Sequence, residues 1–487
     1  MAESELAFDS LAGMASRLRA GSLDPVALVE QLLGRISDLD GKLHSFMRLT
    51  PERGLAEAQA ASRALAAGRD LGMLHGLPYA VKDLFDVEGA PTTAGTRLRD
   101  GHRARADSAA VEKLGRRGMS LLGKTHTVQF AYGAVGINHD QGTPLNPWQP
   151  APFAPGGSSS GSGVAVAAGL VPVALGTDTG GSVRIPAALC GIVGLKTTVG
   201  RISRAGVYPL SGTLDSLGVL SRTVEDAALV FEALQGGDRR DAATLTVETP
   251  YSIESLKLGV RGLRIAICET VFFDEVDPEV EAAVRGTAEV FSSLGARVDR
   301  IEVSEVAEAA ADPLRPLLLA VESSAINAEY LDHHLEALDP VIAPRMLEGR
   351  KVTAPDYYAL LQRRTRLVER AQWTLREVDA LLVPTTQIPA RPLAEVDASF
   401  EVYLDHNTRY NRNTGLGNFL NLCGLSVPCG FTRLGLPIGL MIYARPFRED
   451  LALRVAHAYE QATEWHARLP DLSWAGKTEH PAANEAR

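Results

Sequence analysis

The sequence predicts an α/β protein, because two regions alternate short apolar strands with amphipathic helices. From Gly76 to about Gly218 the strands are separated by clusters of Gly, Ser and Pro and by helices such as DSAAVEKLGRRG. After a polar connector at 236–256, the segments LRIAIC, DPEVEAAVRGTAEVFSSLG and ARVDRIEV predict a second strand, helix and strand. Alternation of this kind is typical of a sheet flanked by helices.

The segments outside these two regions complete the prediction. The pattern of residues 7–70 predicts helices. Ser22 with Pro25 marks the start of one of them, in which apolar residues recur at intervals of three and four. The stretch 305–375 is helical and irregular. Late strands follow at DALLVPTT, LSVPCGFT and GLPIGLMIYAR, before a closing amphipathic helix, REDLALRVAHAYEQATEW. Two domains would fit this order, but late strands of this kind often complete a sheet begun earlier.

The composition is that of an ordinary globular protein. The chain has 487 residues, of which 45% are hydrophobic and 22% charged, so it can bury a core without metals or disulfides. Its net charge of -10 argues against nucleic acid or an anionic membrane as the main partner. The four cysteines form no CxxC pair, and MAESELAFDS lacks the apolar segment of a signal peptide. We therefore expect a cytoplasmic protein with free, buried thiols.

Two local motifs have the wrong context for the chemistry they formally match. The segment from Gly118 to Thr125 matches GxxxxGK[ST], which would make Lys124 a phosphate ligand, but its interior MSLL predicts a strand rather than a loop. The segment GSSSG matches the GxSxG nucleophile elbow, with Ser159 as the nucleophile. That elbow needs a buried strand before it, whereas NPWQPAPFAPGG is rich in Pro and Gly.

A third pattern joins three distant pieces: Lys82 in GLPYAVKDLFD, the serine cluster 156–163 and Ser182 in GTDTGGSVRIP. A serine hydroxyl is a poor nucleophile until a base removes its proton, and neutral lysine can do this if its pKa falls well below about 10.4. Lys82 follows LPYAV, a predicted buried strand, and burial lowers the pKa of a lysine. Taken alone, a lysine at a strand end is usually a solvated charge.

Together these pieces resemble the amidase signature family, strongly over about 70–230 and weakly over most of the chain. The motifs that carry the resemblance are Gly76-Leu-Pro with Lys82-Asp83, the run from Gly123 to Gly133, Pro155-Gly-Gly-Ser-Ser with Gly161-Ser162, the run from Gly176 to Pro186, and the run from Gly191 to Thr197. The resemblance implies the amidase signature fold, a central mixed β-sheet between layers of α-helices.

The resemblance also implies a division of the chain. We expect residues 1–70 to form a helical segment packed on the core, and 71–230 to form the core with the reacting residues. Residues 231–475 would be the remainder of the same domain, and 476–487 a flexible tail. The variable parts that shape the substrate pocket would lie within 126–140 and 305–410.

The family's Ser-cisSer-Lys triad can be placed on this sequence. Ser182, which closes Thr-Gly-Gly-Ser, matches the nucleophile, and Lys82 matches the base. Ser158, the first serine after two glycines, matches the bridging serine that follows a cis peptide bond in this family. Relatives usually show SSGGS where this chain has SSSGS, so both Ser158 and Ser159 remain candidates for the bridge.

The residues around Ser182 have supporting roles in this interpretation. Successive backbone N–H groups of Thr179, Gly180, Gly181 and Ser182 can converge on one oxygen because the glycines leave it uncrowded, which predicts an oxyanion hole. The charged neighbours Asp178 and Arg184 are expected to support the loop rather than to react. Tyr132, in FAYG, fits either a substrate contact or core packing.

The expected function is therefore hydrolysis of a C–N bond in a small amide through a serine acyl-enzyme, with esters and carbamates as further substrates. Pocket segments with few charged residues favour an apolar or aryl amide, anilide or carbamate. The alternative within the family is the glutaminase (A) subunit of a tRNA-dependent amidotransferase; outside it, the alternative is nucleotide binding through Lys124. The chemistry requires no cofactor and no metal, and the segments Asp332-His333-His334 and Asp405-His406 lack metal-ligand spacing. Relatives are often dimers, so the resemblance is compatible with a homodimer.

Overall fold

The computed structural model describes residues 6–245 and 251–476, and their strands form one sheet. The strands are β1 (Phe46–Leu49), β2 (Pro78–Lys82), β3 (Ser120–Thr125), β4 (Val173–Asp178), β5 (Val193–Lys196), β6 (Ser216–Ser221), β7 (Arg264–Cys268), β8 (Arg297–Ile301), β9 (Ala380–Pro384), β10 (Cys423–Phe431) and β11 (Pro437–Ala444). The predicted tail lies outside the described residues, apart from Gly476.

Helices flank this sheet. They are α1 (Leu11–Arg19), α2 (Pro25–Leu43), α3 (Pro51–Ala66), α4 (Ala109–Arg116), α5 (Ser160–Ala167), α6 (Arg184–Cys190), α7 (Val224–Leu234), α8 (Pro278–Ser293), α9 (Ser304–Ala311), α10 (Arg315–Ile326), α11 (Ala328–His333), α12 (Ile342–Glu348), α13 (Ala354–Thr374), α14 (Leu393–Val396), α15 (Phe400–Phe419) and α16 (Glu449–Gln461). In the part of the chain that is described, no helix combines the length and the apolar character that a membrane span requires.

The sheet is mixed, as predicted. Its strand order is β1-β3-β2-β4-β6-β5-β10-β11-β9-β7-β8. Parallel pairs join β2 to β3 and β4, and β7 to β8 and β9, whereas the remaining pairs are antiparallel. The late strands β10 and β11 join the early half to the late half, because β10 pairs with β5 and β11 pairs with β9. One continuous sheet therefore runs through both α/β regions of the sequence.

The start of α2 differs in detail from the prediction. Pro25 is its first residue, but the cap is Asp24, whose Oδ1 accepts a hydrogen bond from the N–H of Val26 at 2.8 Å. A carboxylate satisfies the free amides of a first helical turn at least as well as a serine hydroxyl does. Ser22 instead donates its hydroxyl to the carbonyl of Arg17, near the end of the preceding helix.

The topology gathers the predicted site residues at the carboxyl ends of neighbouring strands. Strands β2 and β4 are parallel neighbours, with Val81 opposite Leu175, so their carboxyl ends lie side by side. Lys82 is the last residue of β2, and Asp178 is the last residue of β4. The loop after β4 leads into α6, and helix α5 begins two residues after Ser158. Loops at the carboxyl ends of neighbouring strands are where open α/β sheets bind ligands.

Candidate active site

The structure brings Lys82 and Ser158 into direct contact. Lys82 is fully buried, and its Nζ lies 2.7 Å from Ser158 Oγ. Nζ also donates to Thr177 Oγ1 at 2.9 Å, one residue before the end of β4. The peptide bond between Gly157 and Ser158 is cis. Two hydroxyls from different segments therefore hold the amine in place.

Burial changes the protonation of this lysine. Removal of water from around Nζ lowers the pKa of Lys82 to about 7, although the negative charges of Asp215 and Asp178 act in the opposite direction. A protonated Nζ can donate to both hydroxyls, whereas a neutral Nζ keeps one donor for Thr177 and offers its lone pair to the Ser158 hydroxyl. The same geometry thus suits both protonation states.

Ser159 stands apart from this contact. Its Oγ donates to the carbonyl oxygen of Thr177 over 3.4 Å, and its backbone N–H donates to the carbonyl oxygen of Ser182 at 3.1 Å. No strand precedes it, because residues 154–159 are loop and bend, and helix α5 begins at the next residue. The environment of Ser159 is therefore not a nucleophile elbow, and the residue that meets Lys82 is Ser158.

Ser182 lies on a tight loop between β4 and α6, where it is 7% exposed. Gly181 has φ +127°, and a Cβ at this position would lie 2.2 Å from Thr414 Oγ1. The same Thr414 hydroxyl donates to the carbonyl oxygen of Gly180 at 2.7 Å. A glycine at position 181 is therefore required both by the backbone conformation and by the close approach of helix α15.

The loop amides divide into two groups. The N–H of Gly181 donates to Asp178 Oδ1 at 2.9 Å, so it is not available to a substrate oxygen in this arrangement. The amides of Thr179, Gly180 and Ser182 have no acceptor among the described residues. The predicted oxyanion hole therefore has one donor fewer, because the N–H of Gly181 is already bound to the carboxylate of Asp178.

Asp178 and Arg184 form a buried, two-point ion pair at the root of the loop. Arg184 Nε lies 2.9 Å from Asp178 Oδ2, and Nη2 lies 2.9 Å from Oδ1. Burial alone would raise the pKa of Asp178, but the charge of Arg184 holds it well below its ordinary value. The guanidinium also donates hydrogen bonds to Tyr443 and Asn418. The pair therefore links the loop to β11 and α15.

A cleft opens beside Ser182. Its lining combines apolar and polar side chains with the loop itself: Ala131, Tyr132, Gly133, Ala134, Thr179, Gly180, Ser182, Ile185, Leu210, Leu319, Arg345, Asn407 and Asn411. Tyr132 lies in this lining, with the Arg345 guanidinium 4.3 Å from its ring centroid. The charged side chain in this lining is Arg345, which no motif in the sequence singles out.

Several residues in the cleft or around Lys82 were not predicted from the sequence. Asn407 and Asn411 are one turn apart on α15, and that spacing in DHNTRYNRN was the available signal for a shared face. Thr177 belongs to the GTDTGGS segment, but its contact with Lys82 depends on the pairing of β2 with β4. Sequence spacing alone could not place these residues beside Ser182, because they come from separate elements.

Lys124 has no open phosphate site around it. Residues Ser120–Thr125 form β3, as their apolar interior predicted. The Lys124 amine is buried, lies 2.6 Å from Asp83 Oδ1, and donates to the carbonyl oxygen of Pro91 at 2.6 Å. A lysine in a strand with its donors bound to protein oxygens is unlike a phosphate-binding loop, which presents free amides to the ligand.

Comparisons with known proteins agree with this geometry. The family model described as Amidase matches residues 27–453. The chain belongs to the amidase signature family. This amidase-family chain is 37% identical over 482 residues to the (A) subunit of glutamyl-tRNA(Gln) amidotransferase from Chloroflexus aurantiacus, covering 93% of this chain and 96% of the relative. It is also 37% identical to "2-amino-5-chloromuconic acid deaminase" of Comamonas testosteroni, over 95% of this chain and 98% of the relative.

Solved structures of amidase-family enzymes share the fold. Peptide amidase from Stenotrophomonas maltophilia superimposes with a TM-score of 0.81 at 30% identity, covering 95% of this chain and 98% of that one. A second structure belongs to work on a vestigial protein complex and the origins of an s-triazine catabolic enzyme. It gives a TM-score of 0.85 at 33% identity and covers 93% and 98% of the two chains. The amidase signature fold and C–N hydrolase class expected from the sequence are thereby confirmed.

Proposed function

We propose that this amidase hydrolyses a small amide through an acyl-enzyme on Ser182, with Ser158 and Lys82 as its proton-transfer partners. The observation that carries the proposal is the buried Lys82 amine, 2.7 Å from Ser158 Oγ and beside the loop that bears Ser182. With its pKa lowered to about 7 by burial, a large share of Lys82 is neutral near pH 7 and can act as a base.

In the acylation step, Ser182 Oγ attacks the substrate carbonyl while its proton passes to Ser158 Oγ and the Ser158 proton passes to Lys82 Nζ. A C–O bond forms to Ser182, and the carbonyl electron pair moves to the oxygen. When the tetrahedral intermediate collapses, the C–N bond breaks and Lys82 returns the proton through Ser158 to the leaving nitrogen. The leaving group departs as a neutral amine or ammonia.

Deacylation repeats the sequence with water as the nucleophile. Water loses its proton through Ser158 to Lys82, attacks the ester carbonyl, and releases the carboxylic acid as Ser182 recovers its proton. The amides of Thr179, Gly180 and Ser182 are proposed to bind the oxygen in both tetrahedral intermediates. The amide of Gly181 is left out because it already donates to Asp178.

For the substrate, we propose a small, polar amide in place of the apolar or aryl amide expected from the sequence. Arg345, Asn407 and Asn411 line the cleft, and polar groups in a binding cleft favour a ligand that supplies matching hydrogen-bond partners. The names of two relatives at 37% identity, a 2-amino-5-chloromuconic acid deaminase and an amidotransferase subunit, support the same direction. Tyr132 is proposed to contact this substrate at the cleft wall.

The glutaminase subunit is therefore the second candidate function. It is favoured by the polar cleft and by the 37% identity to the (A) subunit of an amidotransferase, over 96% of that relative's length. In that case the ammonia released at Ser182 would serve a protein partner, and activity would depend on that partner.

A panel of substrates tests the proposal: glutamine, a simple aliphatic amide, an anilide, a carbamate and an ester, each with wild-type protein and Ser182→Ala. Ser159→Ala serves as the matched control, since it removes a neighbouring hydroxyl that does not contact Lys82. We expect hydrolysis that is lost in Ser182→Ala and largely kept in Ser159→Ala. Turnover that survives in Ser182→Ala would overturn the assignment of the nucleophile. Activity confined to glutamine would select the second candidate.

A further inference from the structure

Arg315, the first residue of α10, has a guanidinium without a hydrogen-bond or ion-pair partner among the described residues. Its Nε is buried and makes no hydrogen bond to any residue that the structure describes. No carboxylate within the described ranges forms an ion pair with it. A buried N–H without an acceptor costs free energy comparable to a lost hydrogen bond, so such groups usually meet a ligand or water.

The acidic residue whose charge acts on Arg315 is already bound elsewhere. Asp312 accepts hydrogen bonds from Arg363 Nε at 3.0 Å and from the N–H of Leu314 at 2.9 Å. Burial lowers the pKa of Arg315, and the charge of Asp312 only partly opposes this. Arginine nevertheless stays protonated in proteins, so the site keeps a positive charge that lacks a bound counter-ion.

The position of Arg315 connects it to the cleft. Leu319, one helical turn further along α10 and on the same face, lines the cleft with Ser182. A methyl group added at Gly415 of α15 would lie 3.8 Å from Arg315 Nη1 and 3.9 Å from the carbonyl oxygen of Gly180. Because Gly415 has no side chain, a gap remains between the Arg315 guanidinium and Gly180 in the loop that carries Ser182.

The charges along the cleft favour an anionic group. No Asp or Glu is found in its lining, and its charged side chain is Arg345. Arg345 is committed in part, because its Nη1 donates to the carbonyl oxygen of Tyr132 at 2.8 Å. Arg315, by contrast, still has all its side-chain donors available, and a guanidinium binds a carboxylate through two parallel hydrogen bonds.

We propose that Arg315 is a specificity-determining residue that binds a carboxylate of the substrate across the gap at Gly415. This inference rests on the proposed acyl-enzyme function and names the substrate class of that same cleft: amides whose acyl part carries a free carboxylate. The guanidinium holds the carboxylate while the reacting carbonyl lies against Ser182, so the anchor acts on substrate binding and leaves the proton transfers to the triad.

Two activated esters of similar acyl length test the anchor: mono-4-nitrophenyl glutarate, which carries a carboxylate, and neutral 4-nitrophenyl valerate. Each is assayed with wild-type protein, Arg315→Gln, Arg315→Lys and the control Arg409→Gln. Arg409 pairs with Asp405 on the exposed side of α15. Arg409→Gln therefore changes the net charge by the same amount as Arg315→Gln but alters no residue that lines the cleft. We expect Arg315→Gln to lower kcat/KM for the glutarate ester by about 10- to 100-fold, mainly through KM.

The neutral ester distinguishes the ways in which the proposal could fail. We expect Arg315→Gln to change its kcat/KM by less than about threefold, Arg315→Lys to recover part of the glutarate activity, and Arg409→Gln to behave as wild type. Equal effects of Arg315→Gln on both esters, or none on either, would overturn the anchor while leaving the acyl-enzyme in place. Absence of Ser182-dependent turnover of both esters would overturn the proposed function itself, and the anchor with it.

Discussion

The pH dependence of turnover is a direct test of the buried base. With the pKa of Lys82 lowered to about 7 by burial, about half of this residue is neutral at pH 7, compared with about three in ten thousand for an ordinary lysine. In the proposed mechanism the neutral form of Lys82 is the base, so we expect activity to rise as pH increases through 7 and to level off above it. We expect kcat/KM to rise about 50-fold from pH 5 to pH 7 and only about twofold more by pH 9.

Thr177→Val adds a perturbation with a defined sign. The variant removes the hydroxyl that accepts a hydrogen bond from Lys82 Nζ at 2.9 Å. A hydrogen bond from a charged group contributes about 1.5 kcal/mol or more, so losing this acceptor disfavours the protonated amine. The midpoint of the profile should move down by about one pH unit, and Thr177→Ser should restore it because serine keeps the hydroxyl.

The assay is kcat/KM for neutral 4-nitrophenyl valerate between pH 5 and pH 9.5, with melting temperature recorded at each pH to exclude unfolding. A neutral ester is used so that the substrate itself does not titrate. Two results would refute the reasoning. A rise that continues tenfold per unit through pH 9 would mean an unperturbed lysine, and an upward shift of the midpoint in Thr177→Val would mean that the hydroxyl favours the neutral amine.

Three further predictions concern the surroundings of the triad. Ser158→Ala should lower kcat by at least about 100-fold and Ser159→Ala by far less, measured on the same ester, since Ser158 is the serine that meets the lysine. Arg184→Met should lower the free energy of unfolding by about 3–5 kcal/mol in denaturant titration, because Asp178 would be left buried and unpaired. Gly415→Ala should raise helix stability by up to about 1 kcal/mol, yet reduce turnover of the glutarate ester by filling the gap beside α10.

Elements with a strong local pattern could be predicted from the sequence. The helix Pro278–Ser293 carries its apolar residues at helical spacing after an Asp-Pro start, and the strand Val173–Asp178 begins within the short apolar run 171–175. The residues that meet at the site, Lys82 and Ser158, were placed by their motifs and not by periodicity. Motifs can identify such residues because a reaction needs particular residue types at short, constant spacing near the strand ends.

The two central strands β5 and β6 were not predicted, and glycine explains why. Each contains one, Gly194 and Gly218, which in a single sequence suggests a turn or a break. In the fold these glycines serve close packing: a Cβ on Gly194 would lie 2.5 Å from Ala187 Cβ, and one on Gly218 would lie 2.3 Å from the carbonyl oxygen of Leu195. The constraint comes from neighbours distant in sequence, so no local pattern reveals it.

The same limit applies to the cleft, where Arg345 and Asn407 come from separate helices whose packing decides what Ser182 faces. The loop that carries Ser182 is held from both sides. Asp178 takes the N–H of Gly181 and, at 3.1 Å, that of Val183, while Thr414 binds the carbonyl oxygen of Gly180. Asp178 is the last residue of β4, and Thr414 lies on α15, the helix that also lines the cleft. Helix α15 therefore holds both the loop and the residues proposed to contact the substrate. Changes on α15 should therefore alter both the rate and the choice of substrate.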